Sequence, residues 1–246
     1  MATLTGKRAL VTGGSRGIGA AIARALSENG ADVAITYQSS AERAADVAAS
    51  IRESGRRGFA VQADSADTRA IRRAVKESVE TLGGLDILVN SAAVGMTGAI
   101  ADIDLDEYQR MMDINVRGPL AFSQAAIPHL THGGRIISIG SSLAERVPFP
   151  GVTPYAMSKS ALLSFTRGLS RELGPQGITV NLVLPGSTNT EANPAEGEGA
   201  DFQRSLSSIG RFAEPREIAE AVVFLAGPAA HMVTGSTLTV DGGANA

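Results

Sequence analysis

The chain has 246 residues, a formal net charge of -3 at pH 7 and no cysteine. The missing thiols exclude a disulfide framework, thiolate catalysis and cysteine-ligated zinc, and no carboxylate accompanies the three histidines at metal-ligand spacing. The negative balance, with arginines dispersed along the chain, argues against nucleic acid or a membrane surface as the main partner. The N-terminal sequence lacks the apolar segment of a signal peptide, and no apolar run approaches the ~20 residues that span a bilayer. We therefore expect a cytoplasmic protein.

Short apolar runs rich in β-branched residues alternate with longer alanine-rich stretches of helical periodicity. Such short runs predict buried strands. They lie at residues 8–12, 32–36, 58–63, 85–90, 134–140, 178–184 and 236–242. The helix after the first strand is expected to end at Gly30, and the helix after the third to begin at Asp67 and end at a glycine pair.

This alternation, with no break in composition, predicts one doubly wound α/β domain over residues 1–246. We expect a Rossmann-type, seven-stranded parallel sheet with helices on both faces. Ligands bind such sheets beyond the C-terminal ends of the strands. The acidic, glycine-containing segment around residues 187–207 is the predicted substrate lid.

The first strand is followed by the glycine-rich loop "TGGSRGIG", residues 12–19. Gly13, Gly17 and Gly19 allow a tight turn and close approach to a pyrophosphate, while the helix N-terminus supplies amide donors. The second strand ends without a carboxylate, which is the group that usually holds a free ribose 2′-hydroxyl. Arg16 and the hydroxyls of Ser39 and Ser40 would suit a 2′-phosphate instead. We therefore expect NADP(H) rather than NAD(H).

The segment "YAMSK" places Tyr155 and Lys159 four residues apart, on one face of a helix. Lowering the pKa of a tyrosine from near 10 to about 7 requires about 4 kcal/mol. One ammonium ~5 Å away supplies roughly 3 kcal/mol at an effective dielectric of about 20. The pair therefore predicts a tyrosine that exchanges protons near neutral pH. Ser142, thirteen residues upstream, is placed to orient a substrate carbonyl, with the adjacent Ser141 as the alternative that spacing cannot exclude.

Taken in order, "TGGSRGIG", "DINVRG", Ser142 with "YAMSK", "PGSTNT" and "VTGSTLTVDGG" resemble the short-chain dehydrogenase/reductase family along the whole chain. The resemblance implies that Tyr155 is the general acid/base, that Ser142 orients the carbonyl, and that Lys159 binds the nicotinamide ribose. It further implies that Asn115, in "DINVRG", holds a water that passes the proton to solvent.

The resemblance also implies the cofactor positions. Asp64 and Ser65 correspond to an adenine-contacting pair, Asn90 to a residue beside the adenine ribose, and Thr188 to the position that meets the carboxamide. The family pattern N-N-A-G is replaced here by residues 90–93, "NSAA", which adds a methyl group near the cofactor. Further implied cofactor positions are Ser15, Ile18, Tyr37, Ala92, Tyr155, Lys159, Pro185, Gly186 and Thr190.

The nearest general type in the family is the 3-oxoacyl-carrier-protein reductase. An acidic carrier protein requires a basic entrance, whereas the loops before the fifth and sixth strands carry Thr131, His132 and Gln176, and the lid is acidic. We therefore expect a small ketone or aldehyde as substrate. The carrier-protein reductase and a non-catalytic nucleotide sensor stand as alternatives. The helix after Tyr155 carries a stripe of small residues, which would allow a second helix to approach closely. Together with the dimers and tetramers that the resemblance implies, this stripe predicts a homodimer or homotetramer.

Overall fold

The structure, a computed structural model, describes residues 3–246 and contains all seven expected strands. Each begins and ends within two residues of the expected bounds. The strands are β1 (Arg8–Val11), β2 (Asp32–Tyr37), β3 (Gly58–Gln62), β4 (Ile87–Asn90), β5 (Arg135–Ile139), β6 (Thr179–Pro185) and β7 (Thr237–Val240). They form one sheet in the order β3-β2-β1-β4-β5-β6-β7, and every neighbouring pair is parallel. The Rossmann-type architecture predicted from the sequence is confirmed.

Helices connect the strands and cover both faces of the sheet. They are α1 (Gly17–Glu28), α2 (Ala41–Glu53), α3 (Thr68–Leu82), α4 (Leu105–Met112), α5 (Gly118–Ala126), α6 (Thr153–Leu173), α7 (Ala200–Leu206) and α8 (Pro215–Ala226). A π-helical turn, Asp113–Arg117, joins α4 to α5, and a 3₁₀ turn, Ser142–Ala144, follows β5. No helix within residues 3–246 combines the length and the apolarity needed to cross a bilayer.

The two-residue periodicity of the strands divides the core into two layers. In β1, Val11 packs with α1, α2 and α8, whereas its neighbour Leu10 faces α3, α5 and α6 on the opposite face. Both side chains are fully buried. Burial of one such aliphatic side chain contributes about 1.5–3 kcal/mol. The continuous apolar strands are thus explained by helices on both sides.

The ends of α3 show how local sequence fixes a helix. The carboxylate of Asp67 accepts a hydrogen bond of 2.8 Å from the Arg69 amide, which satisfies a donor that the first turn leaves free. At the other end Gly83 adopts a left-handed conformation with φ of 77°. A residue with a Cβ rarely takes that conformation, so glycine ends the helix there. Both boundaries were predicted from these residues.

All seven strands end at the same edge of the sheet because they are parallel. The residues after β1, β4, β5 and β6 meet there and line two cavities. Thr131, His132 and Gln176 precede β5 and β6, so they lie at the opposite edge. Their lack of positive charge therefore says nothing about the substrate entrance, and the use of these three residues to argue against an acidic carrier protein is wrong.

Candidate active site

The glycine loop folds back against the end of β4. Gly13 has φ of +65°, and a Cβ at this position would lie 2.8 Å from the Cα of Ala92. A Cβ on Gly19 would overlap the carbonyl oxygen of Gly13. The hydroxyl of Thr12 holds the two loops together, since it accepts hydrogen bonds of 3.0 Å from both the Ser91 and the Ala92 amides. Only glycine fits this turn, and the resulting cradle of backbone amides suits a pyrophosphate.

A crevice of about 330 Å³ runs from this loop along the ends of β2, β3 and β4. Its lining includes most of the sequence-predicted cofactor residues: Gly13, Ser15, Arg16, Gly17, Ile18, Gly19, Tyr37, Ser39, Ser40, Asp64, Ser65, Ala92 and Thr190. The glycine cradle and this lining fit a dinucleotide.

The corner of the crevice at the end of β2 carries no carboxylate from that strand. Gln38, Ser39 and Ser40 line it, and Arg16 approaches from the first residue before α1. Within residues 3–246 the Arg16 side chain forms no ion pair. An exposed guanidinium beside two hydroxyls can accept a phosphate dianion, which an acid at this corner would repel.

Asp64, expected at the adenine, lies in the crevice but already has partners. Its carboxylate accepts hydrogen bonds of 2.9 Å from the Ala66 amide and from Arg110 on α4. Burial raises its pKa, but these hydrogen bonds and the Arg110 charge outweigh burial, so the pKa is lowered overall. Asp64 is therefore an ionised acceptor held in a fixed orientation.

Two asparagines predicted for the site are buried behind it. Asn90 does not line either cavity: its amide points toward the hydroxyls of Ser123 and Ser138, at 3.3 and 3.4 Å. Asn115 lies in the π-helical turn, where it exchanges two hydrogen bonds of 2.9 Å with the backbone of Val94. The structure thus shows Asn90 inside the core rather than beside the crevice, and Asn115 as a brace for the loop after β4.

Tyr155, Lys159 and a serine meet at the end of β5. The serine is Ser141, whose hydroxyl lies close enough to the Tyr155 phenol to lower its pKa. Ser142 begins the 3₁₀ turn, and its carbonyl accepts a hydrogen bond of 2.9 Å from Asn245. The ammonium of Lys159 lies 5.7 Å from the centre of the tyrosine ring and donates to the Ile139 carbonyl at 3.0 Å. Of the two serines left open by spacing, the structure brings Ser141, not Ser142, to the tyrosine.

Burial dominates the ionisation of this group. It raises the pKa of Tyr155 above its ordinary value, while the nearby Ser141 hydroxyl acts in the opposite direction. Burial also lowers the pKa of Lys159 to about 8. From the sequence, most of the stabilisation of the phenolate is expected from Lys159 and the rest from an oxidised nicotinamide; among the protein groups themselves, burial outweighs the other effects and raises the pKa of Tyr155. A protonated phenol beside a mostly protonated lysine is a group ready to donate a proton at neutral pH.

A second cavity, of about 450 Å³, opens in front of Tyr155. The loop after β5 supplies one wall, as predicted, through Arg146, Pro148, Phe149 and Val152. The remaining predicted residues in its lining are Ser142, Pro185, Gly186, Thr188 and Thr190. Both cavities share Ile18, Ala93, Val94, Thr190 and Ala192, so the crevice at the glycine loop continues into the space before the tyrosine.

The segment 187–207, predicted as a substrate lid, contributes part of the lining of this cavity. Asn193 and Gln203 exchange two side-chain hydrogen bonds, of 3.0 and 2.9 Å, which fold the segment on itself. Phe202 then meets Phe149 edge-on, with ring centres 5.6 Å apart, and so joins the segment to the opposite loop. No local pattern in the sequence indicates this contact.

The C-terminal segment forms a further wall that sequence reasoning missed. Ala244 and Asn245 line the cavity. The backbone amide of Asn245 donates a hydrogen bond of 3.0 Å to the Asp241 carboxylate, which holds this segment in place. The terminal "VDGG" was noted only as a family motif. The two residues that follow this motif, Ala244 and Asn245, reach the cavity because β7 pairs with β6.

Comparisons with known proteins agree with this geometry. A family model described as enoyl-(acyl carrier protein) reductase matches residues 13–245. The chain is 44% identical, over 98% of both chains, to the cyclic-di-GMP-binding biofilm dispersal mediator protein of Escherichia coli (strain K12). It is 55% identical to a short-chain dehydrogenase from Burkholderia cenocepacia J2315 solved in complex with NADP, with a TM-score of 0.98 and coverage of 99% and 100%.

The chain belongs to the short-chain dehydrogenase/reductase family. A further solved structure, a blue fluorescent protein from a metagenomic library in complex with NADPH, is 50% identical with a TM-score of 0.97, and the match covers 99% of this chain and 100% of that one. Short-chain dehydrogenase/reductase neighbours with bound NADP or NADPH are consistent with the cofactor expected from the end of β2. The family resemblance recognised in the sequence is confirmed.

Proposed function

We propose that this protein is an NADPH-dependent oxidoreductase that reversibly reduces a small ketone or aldehyde to the alcohol. One observation carries the proposal. The Tyr155 phenol, close to the Ser141 hydroxyl and with its ring centre 5.7 Å from the Lys159 ammonium, lines a 450 Å³ cavity that is continuous with the dinucleotide crevice. A carbonyl placed there would meet a proton donor and a cofactor from adjoining spaces.

Each residue of this group has a distinct role in the proposal. Bound NADPH would supply a hydride to the carbonyl carbon. Tyr155 would give its proton to the carbonyl oxygen, and the Ser141 hydroxyl would orient that oxygen. The Lys159 ammonium would stabilise the phenolate left behind and bond to ribose hydroxyls. Asn115 would support the Val94 loop between the two cavities rather than act on the substrate.

The raised pKa of Tyr155 favours reduction at neutral pH, because the phenol stays protonated. Oxidation of an alcohol needs the phenolate and would therefore increase with pH. The preference for NADP(H) over NAD(H) is supported by Arg16, Ser39 and Ser40 at the end of β2 and by the neighbours that carry NADP or NADPH.

A panel of small ketones and aldehydes assayed with NADPH and NADH in parallel tests both parts of the proposal. The wild type should reduce some of the panel with NADPH, and Tyr155→Phe should lose roughly 10³-fold or more of kcat while keeping its affinity for NADPH. Equal rates for the two proteins would refute the role of the tyrosine. Equal efficiency with NADH would refute the cofactor preference.

A nucleotide sensor is the second candidate, because the relative from Escherichia coli is named for cyclic-di-GMP binding. A sensor would not require the tyrosine and the lysine, whereas this chain keeps Tyr155 in the cavity lining and the Lys159 ammonium 5.7 Å from the centre of its ring. Turnover therefore stands as the first proposal. Wild type and Tyr155→Phe that are equally inert while NADPH binds would favour the sensor.

Reduction of a substrate on a carrier protein is the third candidate. Glu191, Glu196, Glu198 and Asp201 are exposed on the segment 187–207 above the cavity. Their negative charge would repel an acidic carrier, so we propose that free small molecules are preferred. Comparing one 3-oxoacyl group on a carrier protein and as a small thioester tests this: a lower KM for the carrier-bound form would contradict it.

We also propose that the protein assembles as a homodimer or homotetramer. The stripe of small residues on α6 consists of Ala156, Ser160, Ser164 and Gly168. Ala156 is buried and the Ser160 hydroxyl donates a hydrogen bond to the Ala144 carbonyl, whereas Ser164 and Gly168 are exposed. Close approach of a second chain is possible only at the exposed half. Light scattering after size-exclusion chromatography measures the assembly directly, and a monomer at all concentrations would refute it. The cytoplasmic location stays a prediction.

A further inference from the structure

The cavity in front of Tyr155 contains one charged side chain, that of Arg146. Its other lining residues, all within the described range, are apolar or carry hydroxyl, phenol or amide groups. A positive charge on the wall of an otherwise uncharged cavity produces a positive potential there.

The structure also fixes where this guanidinium lies. The backbone amide of Arg146 donates a hydrogen bond of 3.2 Å to the Ser142 carbonyl, so Arg146 closes the turn that directly follows Ser141. Its Nη1 donates to the carbonyl oxygen of Ala244. The segment 241–246 is itself held by the Asp241 carboxylate, which accepts hydrogen bonds from the backbone amides of Gly243, at 2.9 Å, and Asn245, at 3.0 Å. The arginine is therefore oriented by the same turn that positions the carbonyl-binding serine.

The charge of Arg146 has no counter-ion within residues 3–246. Eight other arginines are ion-paired: Arg8, Arg43, Arg57, Arg110, Arg117, Arg204, Arg211 and Arg216. The only hydrogen-bond partner of the Arg146 side chain in this part of the protein is the neutral Ala244 carbonyl. The Nε–Nη2 edge of the guanidinium is thus available, and that edge presents two parallel N–H groups at the spacing of a carboxylate.

We propose that Arg146 is a specificity-determining residue that binds a carboxylate of the substrate, so that the preferred substrates are oxo acids rather than neutral ketones. This inference rests on the proposed carbonyl reductase function and narrows its substrate class. The carbonyl lies at Ser141 and Tyr155, and the carboxylate lies at the free edge of Arg146.

The test compares oxo acids with their own methyl esters: pyruvate, acetoacetate and levulinate, which differ in the distance between carbonyl and carboxylate. The wild type should favour the acid of the best-fitting pair by roughly 10- to 100-fold in kcat/KM, the range expected for a hydrogen-bonded charge pair. R146Q should lose that preference, read as the ratio of acid to ester for each protein, and far-UV circular dichroism with NADPH binding shows that the variant is folded. R146K should be intermediate, because it retains the charge but not the fork.

Arg171→Gln is the matched control, since Arg171 is exposed near the end of α6 and lies outside the cavity lining. It removes one positive charge and should leave the acid-to-ester ratio unchanged. An R146Q ratio equal to that of the wild type would overturn the inference while leaving the reductase intact. So would a ratio that falls equally in R171Q, because general attraction would then explain it.

A binding measurement decides the inference even if no carbonyl is reduced, which would overturn the proposed function itself. Thermal denaturation is followed with saturating NADP⁺ and either levulinate or its uncharged primary amide. The acid should raise the Tm of the wild type and not that of R146Q. Equal shifts in the two proteins, or none in either, would refute a carboxylate subsite at Arg146.

Discussion

Replacing Lys159 with methionine removes a buried ammonium, and the effect on stability depends on pH. Lys159 is 3% exposed, and burial lowers its pKa from 10.5 to about 8. Such a change means that burying the charge costs the folded protein about 3 kcal/mol at pH 7. The hydrogen bond from Lys159 to the Ile139 carbonyl offsets part of this, because leaving that oxygen unpaired costs about 1–2 kcal/mol. K159M should therefore be more stable than the wild type at pH 7 by about 1–2 kcal/mol.

The sign of the pH dependence follows from proton binding. Between pH 8 and pH 10.5 the unfolded lysine holds a proton that the folded one has released, so wild-type stability rises with pH across this window. Linkage gives a gain of about 2 kcal/mol between pH 7 and pH 9.5. K159M has no titrating group at this position, so its free energy of unfolding does not rise in this way. The stability difference between K159M and the wild type should therefore fall by about 2 kcal/mol and vanish near pH 9.5.

Urea unfolding at pH 7 and pH 9.5, followed by circular dichroism at one fixed protein concentration, measures this difference. Lys76→Met is the control. The Lys76 side chain is 75% exposed and pairs with Glu80, so its replacement should change stability equally at both pH values. If K159M differs from the wild type by the same amount at both pH values, Lys159 is not held with a lowered pKa and the reasoning fails.

Three further predictions concern the site. Ser141→Ala should lower kcat/KM roughly 10²-fold with NADPH affinity intact, whereas Ser142→Ala should stay within several-fold; steady-state kinetics that show equal losses would contradict the assignment. Gly19→Ala should weaken NADPH binding at least 10-fold in a fluorescence titration, because the new Cβ overlaps the Gly13 carbonyl oxygen; unchanged affinity would show that the loop yields. Arg16→Asp should reduce efficiency with NADPH roughly 10- to 100-fold and spare NADH, and an unchanged ratio of the two would exclude Arg16 from 2′-phosphate recognition.

The fold was largely predictable because its signals are local. Buried parallel strands are short apolar runs, and α3 begins and ends where Asp67 and Gly83 supply the missing hydrogen bond and the left-handed turn. The glycine loop was found for the same reason. His132 was wrongly assigned to the substrate entrance. It is close to β5 in the sequence, but that does not place it at the edge of the sheet where the cavities lie.

The sequence by itself determined the parallel sheet, the dinucleotide loop and the pairing of Tyr155 with Lys159, because strand period, helix period and backbone conformation are properties of neighbouring residues. Tertiary structure alone decided between Ser141 and Ser142, since the path of one turn selects which hydroxyl meets the phenol. It also decided the sign of the tyrosine pKa shift, because desolvation depends on how completely the surrounding chain encloses the group. The position of Arg146 beside Ala244, ninety-eight residues away, required the whole sheet to form.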